Sequence, residues 1–533
     1  MDCTSTRLAY RQTGVFSKIA TDYVDRANSL MPFVAHEPTV AGVEHAIAER
    51  KNFTTNRQVL VDELRTQYTT VEAVAAVQKN IDLLLSADTF TITTAHQTNI
   101  FTGPLYFVYK ILHAIKLAEH LNRSLPAYKF VPVYYIGSED ADIEELNHIH
   151  IESSTFTWNT KQSGAVGRMK VDKEFLKLVD EIEGQLGVLP FGAETIQLIK
   201  SAYQPGDDIQ FSTFKIVNAL FADKGLVVLL PDNANLKRQL LQIFRDDLLH
   251  QTASGIVEKT SDRLGRIYKV QAHPRDINLF YLYNDVRERI ELRDGKYKIL
   301  NTNTEFTEQQ MLDTLARHPE RFSPNVILRG VYQEVILPNV AFIGGGGELA
   351  YWLQLKDLFE HYKVPYPVQV LRNSFLIIEP RLQDKINKLG FSIPDLFSSE
   401  QHLMNQLVSR ESGRKLQLNG TLSATEELYE NIKKQAASID ITLEKHVDAL
   451  KTGTLHKLRE LEKKMLRAEK RKFADQQRQV QFIRSKLFPA NGLQERYDNV
   501  LGYYAKWGSD FIEKVFTHSL SLEQEFSVLL IND

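Results

Sequence analysis

Three short segments of this chain gather side chains that could bind or transform a small charged molecule. The first is the loop from His96 to Pro104, which follows the β-branched run Thr89–Thr94 and precedes a long apolar stretch. The order strand, loop and helix predicts a position at the carboxyl end of a parallel sheet, where open α/β folds bind ligands. A polar loop in which Thr102 only caps the helix is the alternative. The candidates are the catalytic residue His96 and the binding residues Gln97, Asn99, Thr102, Gly103 and Tyr106.

The second segment is acidic and follows the apolar run Phe130–Ile136. Carboxylates at the carboxyl end of a strand could bind an ammonium group, accept a proton or hold Mg²⁺ through water. A solvated helix start is the alternative, because acidic side chains are favourable in a first turn. Glu144 and Glu145 are interpreted in that second way. The candidates are the catalytic acids Glu139, Asp140 and Asp142 and the binding residues Asn147 and His148.

The third segment is the glycine run Gly344–Gly347, which follows the apolar run Val340–Ile343. Four glycines allow close approach of a ligand and permit positive φ, at an entropic cost that a purely structural turn would rarely incur. A turn without a ligand is the alternative, since a glycine-rich turn alone is a weak signal. Two nearby arginines suit carboxylate or phosphate groups through their planar guanidinium groups, although either could form a structural ion pair. The binding candidates are Gly345, Gly346, Gly347, Glu348, Tyr351, Trp352, Arg329 and Arg372.

The elements around these segments predict an α/β fold. The runs Thr89–Thr94 and Phe130–Ile136 flank one long apolar helix, which predicts a right-handed β-α-β unit with parallel strands. Leu226–Leu230 and Val340–Ile343 lack polar alternation, as strands covered on both faces do. Residues 148–172 and 267–300 alternate, and the turn Asp294–Gly295 indicates β-hairpin insertions.

The C-terminal third of the chain is charged and helical. Its apolar residues recur at three-four spacing between Lys, Glu and Arg, which indicates a coiled coil, and a single helix over 443–487 would be roughly 65 Å long. The predicted divisions are an N-terminal helical segment of the core at 1–88, a Rossmann-like core at 89–395 with insertions near 148–215 and 262–300, a linker at 396–420, a coiled coil at 421–490, and a C-terminal helical segment packing on the core at 491–533.

Composition restricts the classes of function. The formal net charge of the 533 residues is −3, which disfavours nucleic acid as a partner, and the basic run Lys463–Lys472 is interpreted as the solvated face of the coiled coil. Cys3 is the only cysteine, so a disulfide framework and a zinc site of thiolates are excluded. The N-terminal residues lack the apolar run of a signal peptide, and we expect a cytoplasmic protein without a membrane span.

Together these segments resemble the BshC family, the cysteine-adding enzymes of bacillithiol biosynthesis. Two positions differ from the family pattern: Ala95-His96-Gln97 stands where the family usually has Gly-Gln-Gln, and Ala141 stands where many members have histidine. The resemblance is carried by Ala95–Gln97, Phe101–Tyr106, Ser138–Asp140, Asn147-His148, Leu328-Arg329, Gln333-Glu334, Leu337–Asn339, Gly347–Trp352, Lys463–Met465, Glu469–Lys472 and Leu493–Arg496.

The resemblance implies a Rossmann-like core related to class I aminoacyl-tRNA synthetases, β-rich connecting-peptide insertions, and a coiled coil that forms a homodimer. It implies a ligase that adds cysteine to glucosaminyl-malate, with ATP or ADP as the associated nucleotide. Under this hypothesis the loop at His96 binds cysteine and the activating phosphate, the acids orient or deprotonate an amine, and Arg329 or Arg372 holds the malate carboxylates. A synthetase-like ligase acting on a different amine and a non-catalytic coiled-coil scaffold are the alternatives.

Overall fold

The computed structural model describes residues 2–72, 74–412 and 417–532. The chain divides into two compact units. The first comprises the residues up to Ile377 together with those from Gly492 onward, and the second runs from Ile378 to Asn491. Within the described ranges, no helix is long and apolar enough to cross a membrane.

The strands are β1 Asp2–Ala9, β2 Thr89–Gln97, β3 Lys129–Gly137, β4 His148–Ile151, β5 Ser154–Thr157, β6 Val227–Leu229, β7 Leu279–Tyr283, β8 Val286–Arg293, β9 Lys296–Ile299, β10 Glu305–Phe306, β11 Phe322–Pro324, β12 Asn339–Gly344, β13 Val368–Leu371, β14 Phe375–Ile378 and β15 Glu525–Asn532. The α-helices of the first unit are α1 Tyr10–Thr13, α2 Lys18–Val24, α3 Val40–Lys51, α4 Arg57–Tyr68, α5 Ala75–Leu83, α6 Tyr106–Ser124, α7 Ile143–Leu146, α8 Lys173–Leu186, α9 Gly192–Ala202, α10 Ile209–Phe221, α11 Ala234–Arg238, α12 Leu241–His250, α13 Thr252–Gly265, α14 Glu308–Arg317, α15 Val326–Ile336, α16 Gly346–Trp352, α17 Lys356–Tyr362, α23 Val500–Trp507 and α24 Ser509–His518. Those of the second unit are α18 Pro380–Leu389, α19 Glu400–Glu411, α20 Asn419–Ala437, α21 Leu443–Lys470 and α22 Ala474–Leu487.

The core of the first unit is a five-stranded parallel sheet in the order β13-β12-β2-β3-β6. The four strand predictions correspond to β2, β3, β6 and β12, and the predicted Rossmann-like α/β fold is confirmed. From β2 the chain crosses through α6 to β3 on one side, whereas β12 pairs with the other side of β2. The strand order therefore changes direction between β2 and β12, and open sheets bind ligands in the crevice outside the strand ends at such a point.

The predicted hairpins are present in both insertions, but the first insertion is mostly helical. There β4 pairs with β5, and α8, α9 and α10 follow, because apolar residues such as Phe175, Val179 and Ile182 recur at helical spacing. In the second insertion β8 and β9 pair antiparallel across Asp294 and Gly295, whose φ values are 55° and 74°. Both residues are in the left-handed conformation that a two-residue hairpin turn requires.

Both predicted helical end segments also contain a strand. Strand β1 pairs antiparallel with β15, and β15 also neighbours β14, so the two ends of the chain share a three-stranded sheet. The register joins Asp2 to Asn532 and Ala9 to Glu525. Local sequence patterns do not reveal this pairing, because the paired residues are more than 500 positions apart.

The second unit contains a helical hairpin of α20 and α21 instead of one long helix. Side chains bridge the two helices, with Lys433 to Asp448 at 2.6 Å and Tyr429 to Thr454 at 2.8 Å. The single helix predicted over 443–487 is wrong, because a 3₁₀ turn at Arg471–Phe473 separates α21 from α22. Helix α21 packs mainly along α20 and also contacts α19, whereas α22 packs on α18 and α19. The segment predicted as a linker at 396–420 contains α19 and the start of α20.

Candidate functional site

A cavity of about 410 Å³ opens at the carboxyl ends of β2 and β12, where the strand order changes direction. This volume lies within the range of small-molecule sites. Three segments that are far apart in the sequence meet here: the end of β2, the start of α16 and the helix α15. The sequence candidates that line the cavity are His96, Gln97, Tyr106, Arg329, Gly345, Gly346, Gly347, Glu348, Tyr351, Trp352 and Arg372.

The remaining candidates lie outside the wall of this cavity. Glu139 and Asp140 border a much smaller adjacent space of about 10 Å³, which shares Tyr135, Gly137 and Arg329 with the cavity. The candidates that border neither space are Asn99, Thr102, Gly103, Asp142, Asn147 and His148.

The loop after β2 has three consecutive residues with positive φ, and hydrogen bonds from Asn499 hold it in this conformation. Phe101, Thr102 and Gly103 have φ values of 48°, 71° and 68°, and the side-chain amide of Asn499 donates to the carbonyls of Phe101 at 2.9 Å and Gly103 at 2.5 Å. A Cβ on Gly103 would lie 2.6 Å from Cβ of Asn99. Glycine is therefore required at 103 by both conformation and space.

The glycine run provides space and not positive φ. None of Gly344 to Gly347 has a positive φ, so the expected left-handed conformation is wrong here. Gly344 is closely packed, since a Cβ there would lie 3.0 Å from the Phe342 ring, whereas a Cβ on Gly347 would meet no atom within 4 Å. The backbone N–H of Gly345 donates to Glu348 Oε2 at 2.8 Å, which fixes the start of α16.

The cavity wall is rich in cations: Lys110, Arg329, Arg372 and Arg496. Lys110 donates to the Ala95 carbonyl at 2.8 Å and forms an ion pair with Glu348. Arg372 forms a buried ion pair with Glu495 at 2.7 Å and lies 4.8 Å from the centre of the Tyr106 ring. Glu495 therefore already neutralises Arg372, which agrees with the alternative that this arginine forms a structural ion pair.

Arg329 and Arg496 are the cations of this wall that could meet an anionic ligand. Among the described residues neither forms an ion pair within 4.0 Å. Burial lowers the pKa of Arg329, but Tyr351, which shares a hydrogen bond with it, and the charge of Asp140 outweigh that effect, so the pKa is raised overall. Lys110 and Arg496 were not among the sequence candidates. The sequence features that could have identified them are a lysine within a mostly apolar helix and an arginine at the end of the Leu493–Arg496 motif.

His96 is a neutral group in this cationic setting. Burial, and then the charges of Lys110, Arg372 and Arg329, hold the pKa of His96 well below its ordinary value. Its Nε2 atom is buried and has no hydrogen-bond partner among the described residues. Near pH 7 the ring can therefore accept or donate a hydrogen bond to a ligand, but it cannot serve as a protonated acid.

Glu139 belongs to a buried ionic cluster. Its carboxylate contacts Lys237, which also donates to Asp232 at 3.0 Å, and Asp232 receives two hydrogen bonds from Arg168 at 2.6 and 2.8 Å. Lys237 is completely buried. Burial raises the pKa of Glu139, and Lys237 opposes that rise. The partners of Glu139 indicate a structural role.

The other predicted acids are also engaged. Asp140 accepts from the side-chain amide of Gln97 at 3.0 Å and from the backbone N–H of Asp142 at 3.2 Å. Burial raises the pKa of Asp140, but the Gln97 hydrogen bond and Arg329 outweigh it and lower the pKa overall. Asp142 is the N-cap of α7 and accepts from the N–H of Glu145 at 3.3 Å. A carboxyl group with a lowered pKa is a weaker base.

Glu145 is the acid of this segment that lines the large cavity. The sequence interpretation placed it on the solvated face of a helix start, and its side chain is indeed exposed in the first turn of α7 as well as bordering the cavity. Partial burial, and then the negative charges of Asp140 and Asp142, raise the pKa of Glu145. Asn147 and His148 point elsewhere: Asn147 donates to the Trp158 carbonyl at 3.5 Å, and its Oδ1 lies 3.2 Å from Nδ1 of His148.

The whole chain is similar to known proteins. A family model described as "Bacillithiol biosynthesis BshC, N-terminal Rossmann-like domain" matches residues 1–373, and "Bacillithiol biosynthesis BshC, C-terminal coiled-coil domain" matches residues 375–531. A solved structure titled "putative arginyl t-RNA synthetase" from Campylobacter jejuni covers 82% of this chain and 93% of its own, at 10% identity and a TM-score of 0.24.

Two curated relatives carry the name "Putative cysteine ligase BshC". The protein of Flavobacterium johnsoniae is 38% identical over 528 residues, which cover 98% of this chain and 99% of the relative. That of Flavobacterium psychrophilum is 38% identical over 526 residues, which cover 98% of each chain. With both domain models and these full-length relatives matched, this chain belongs to the BshC family of bacillithiol biosynthesis.

Proposed function

We propose that this chain is a ligase that joins the carboxyl group of cysteine to the amine of glucosaminyl-malate. Membership of the BshC family and the name of its relatives as cysteine ligases support this assignment. The observation that carries it is the distribution of charge in the cavity. Arg329 and Arg496 lack ion pairs among the described residues, and the carboxylate of Glu145 borders the same space. Such a cavity suits a ligand that has both carboxylates and an amine.

The reaction requires activation of a carboxylate, because a carboxylate is a poor electrophile toward an amine. ATP bound in this cavity would supply that activation, because phosphoryl chemistry turns the carboxylate oxygen into part of a better leaving group. A C–N bond then forms between the cysteine carboxyl carbon and the amine nitrogen, the C–O bond to the leaving group breaks, and the nitrogen gives up its protons. The cationic wall fits phosphate and carboxylate oxygens, and Arg329 and Arg496 would hold them.

The residues assigned to binding follow from their positions in the cavity. Arg329 and Arg496 bind the carboxylates of the malate group or the phosphate of the leaving group. His96, which is neutral and has a buried ring nitrogen without a partner, donates or accepts one hydrogen bond to a substrate atom. Gly345 to Gly347 line the cavity without side chains, and a Cβ on Gly345 would lie 3.5 Å from the cavity residues Arg372 and Glu348.

We also propose that two copies pair through the helical hairpin of α20 and α21, in the cytoplasm. Large apolar side chains on this hairpin remain exposed in a single chain, and pairing would remove them from water. Ile439 and Ile441 at its tip are 79% and 67% exposed. Further exposed apolar residues along the hairpin are Leu428, Ile432, Leu443, Leu450 and Leu461. The cytoplasm is proposed because the sequence has a single cysteine, consistent with a reducing compartment.

The proposed function is tested by the mass of the product. The full chain is incubated with cysteine, glucosaminyl-malate and ATP, and the product is expected at the summed mass of the two substrates less one water. Omission of ATP is the control for activation. A product with another amine but none with glucosaminyl-malate would identify a different ligase, and no product with any amine would favour a scaffold.

A further inference from the structure

Glu145 differs from the acidic residues around it in what its carboxylate contacts. Among the described residues, the carboxylate of Glu145 forms no ion pair and no side-chain hydrogen bond. By contrast, Glu139 is paired with Lys237, and Asp140 accepts a hydrogen bond from Gln97. Glu348, the other carboxylate in the cavity wall, is held by Lys110 and by the N–H of Gly345. Glu145 is therefore the cavity carboxylate that is available to a ligand.

Two hydrogen bonds fix the backbone of Glu145 and therefore the position from which its side chain extends. Its N–H donates to the capping carboxylate of Asp142 at 3.3 Å, and its carbonyl accepts from the side-chain amide of Asn99 at 3.4 Å. Asn99 belongs to the left-handed loop after β2. The loop predicted to bind substrate thus also positions the short helix that carries Glu145.

The charges around Glu145 favour a cation next to it. Partial burial and then the charges of Asp140 and Asp142 raise the pKa of Glu145, while His148 lowers it. Burial raises the pKa of the Tyr106 hydroxyl in the same cavity, Arg372 and Arg496 oppose that rise, and Glu348 and Glu145 add smaller contributions to it. A substrate ammonium placed beside Glu145 would be stabilised by three nearby carboxylates, whereas the cationic wall would repel it.

We propose that Glu145 binds the ammonium group of the amine substrate and takes one proton from it. The inference rests on the proposed function, because it assigns the amine end of the ligand that reacts there. In the step, an N–H bond of the ammonium breaks and its electron pair stays on nitrogen, while the proton moves to a carboxylate oxygen of Glu145. The neutral amine then attacks the activated cysteine carboxyl carbon, because only the neutral form has a free electron pair.

The test compares Glu145→Gln with Glu144→Gln as a matched control. Glu144 precedes it on the same short helix and does not line the cavity. We expect Glu145→Gln to lower kcat about 10²- to 10⁴-fold, the range for loss of a general base, and Glu144→Gln to retain wild-type activity. Full activity of Glu145→Gln would overturn the proposal.

A pH profile separates proton transfer from a structural role. Activity should rise with pH as Glu145 loses its proton, and this acidic limb should move to lower pH in Asp140→Asn, because one of the charges that raises the pKa of Glu145 is gone. An unchanged limb in an active Asp140→Asn enzyme would contradict Glu145 as the titrating base.

A binding measurement keeps this inference separate from the proposed function. By calorimetry at a pH where the amine is protonated, Glu145→Gln should bind glucosaminyl-malate at least 10-fold more weakly than wild type and bind malate equally well. Equal binding of glucosaminyl-malate by the two proteins would overturn the ammonium site. If the wild type binds glucosaminyl-malate in this way but forms no amide with cysteine, the proposed function fails and the ammonium site stands.

Discussion

Replacing Lys237 by methionine is expected to lower the free energy of unfolding by about 3 to 5 kcal/mol, the usual cost of removing one partner from a buried ion pair. Lys237 is completely buried and neutralises Glu139 and Asp232, so its loss leaves buried carboxylate charge. Denaturant unfolding followed by circular dichroism measures the change. The matched control is Lys177→Met, which removes an exposed pair with Glu174 and should cost less than about 1 kcal/mol.

A double substitution distinguishes charge from packing in this cluster. Glu139→Gln combined with Lys237→Met removes both charges of one pair, while Arg168 still neutralises Asp232. We expect the double variant to be more stable than Lys237→Met alone, because it contains less unpaired buried charge. If Lys237→Met unfolds like the wild type, the structural role of Glu139 is contradicted.

Replacing Arg329 by methionine is expected to lower kcat/KM for glucosaminyl-malate about 10- to 150-fold. The range corresponds to the roughly 1.5 to 3 kcal/mol of a hydrogen bond to a charged group. Arg329 lines the cavity and shares a hydrogen bond with Tyr351, but among the described residues it has no ion-pair partner within 4.0 Å. Because a guanidinium group has five N–H donors, it can still receive a carboxylate or phosphate. Steady-state kinetics with varied glucosaminyl-malate measure the effect.

Two further variants test the Arg329 prediction. Arg329→Lys keeps the charge but loses the planar fork, so its defect should lie between wild type and Arg329→Met. Arg317→Met, at the exposed end of α14, is the control for loss of a surface arginine and should be as active as wild type. Unchanged kcat/KM in Arg329→Met would remove this residue from substrate binding.

The central sheet could be predicted from sequence because its strands are unbroken apolar runs. Phe130–Ile136 and Val340–Ile343 had this pattern and became β3 and β12. Strand β13 was not predicted, since Val368–Leu371 is only four residues long and contains Gln369. The sheet of β1, β14 and β15 depends on pairing between the chain ends, which no local pattern records.

The location of the cavity could be predicted from sequence, but which of the nearby acidic side chains are paired with cations could not. Ligand contacts were expected after β2 and after β12. The residues after β12 line the cavity, whereas near β2 it is the end of the strand and Tyr106, and not the loop residues Asn99, Thr102 and Gly103, that line it. Glu139 and Glu145 are six positions apart, and the sequence favoured Glu139 as the functional acid and Glu145 as part of a solvated helix start. Their difference arises from Lys237, about a hundred residues away, which neutralises Glu139 and leaves Glu145 in the cavity wall. Such pairing is a tertiary property.

The glycine run shows a similar limit of prediction from sequence. Its composition predicted close approach to a ligand, and Gly345, Gly346 and Gly347 all line the cavity. Composition alone could not show whether the glycines supply positive φ or space. The structure shows space, since their φ values are not positive and the position of a Cβ on Gly347 is open.

The amine substrate is proposed to bind in one cavity, at the change in strand order between β2 and β12. A crystal structure of the full chain with glucosaminyl-malate bound would test this directly. The malate carboxylates are expected within hydrogen-bond distance of Arg329 or Arg496, and the amine within about 3.2 Å of the Glu145 carboxylate. Glucosaminyl-malate bound outside this cavity, or with its amine against the cationic wall, would show that the proposed site is wrong.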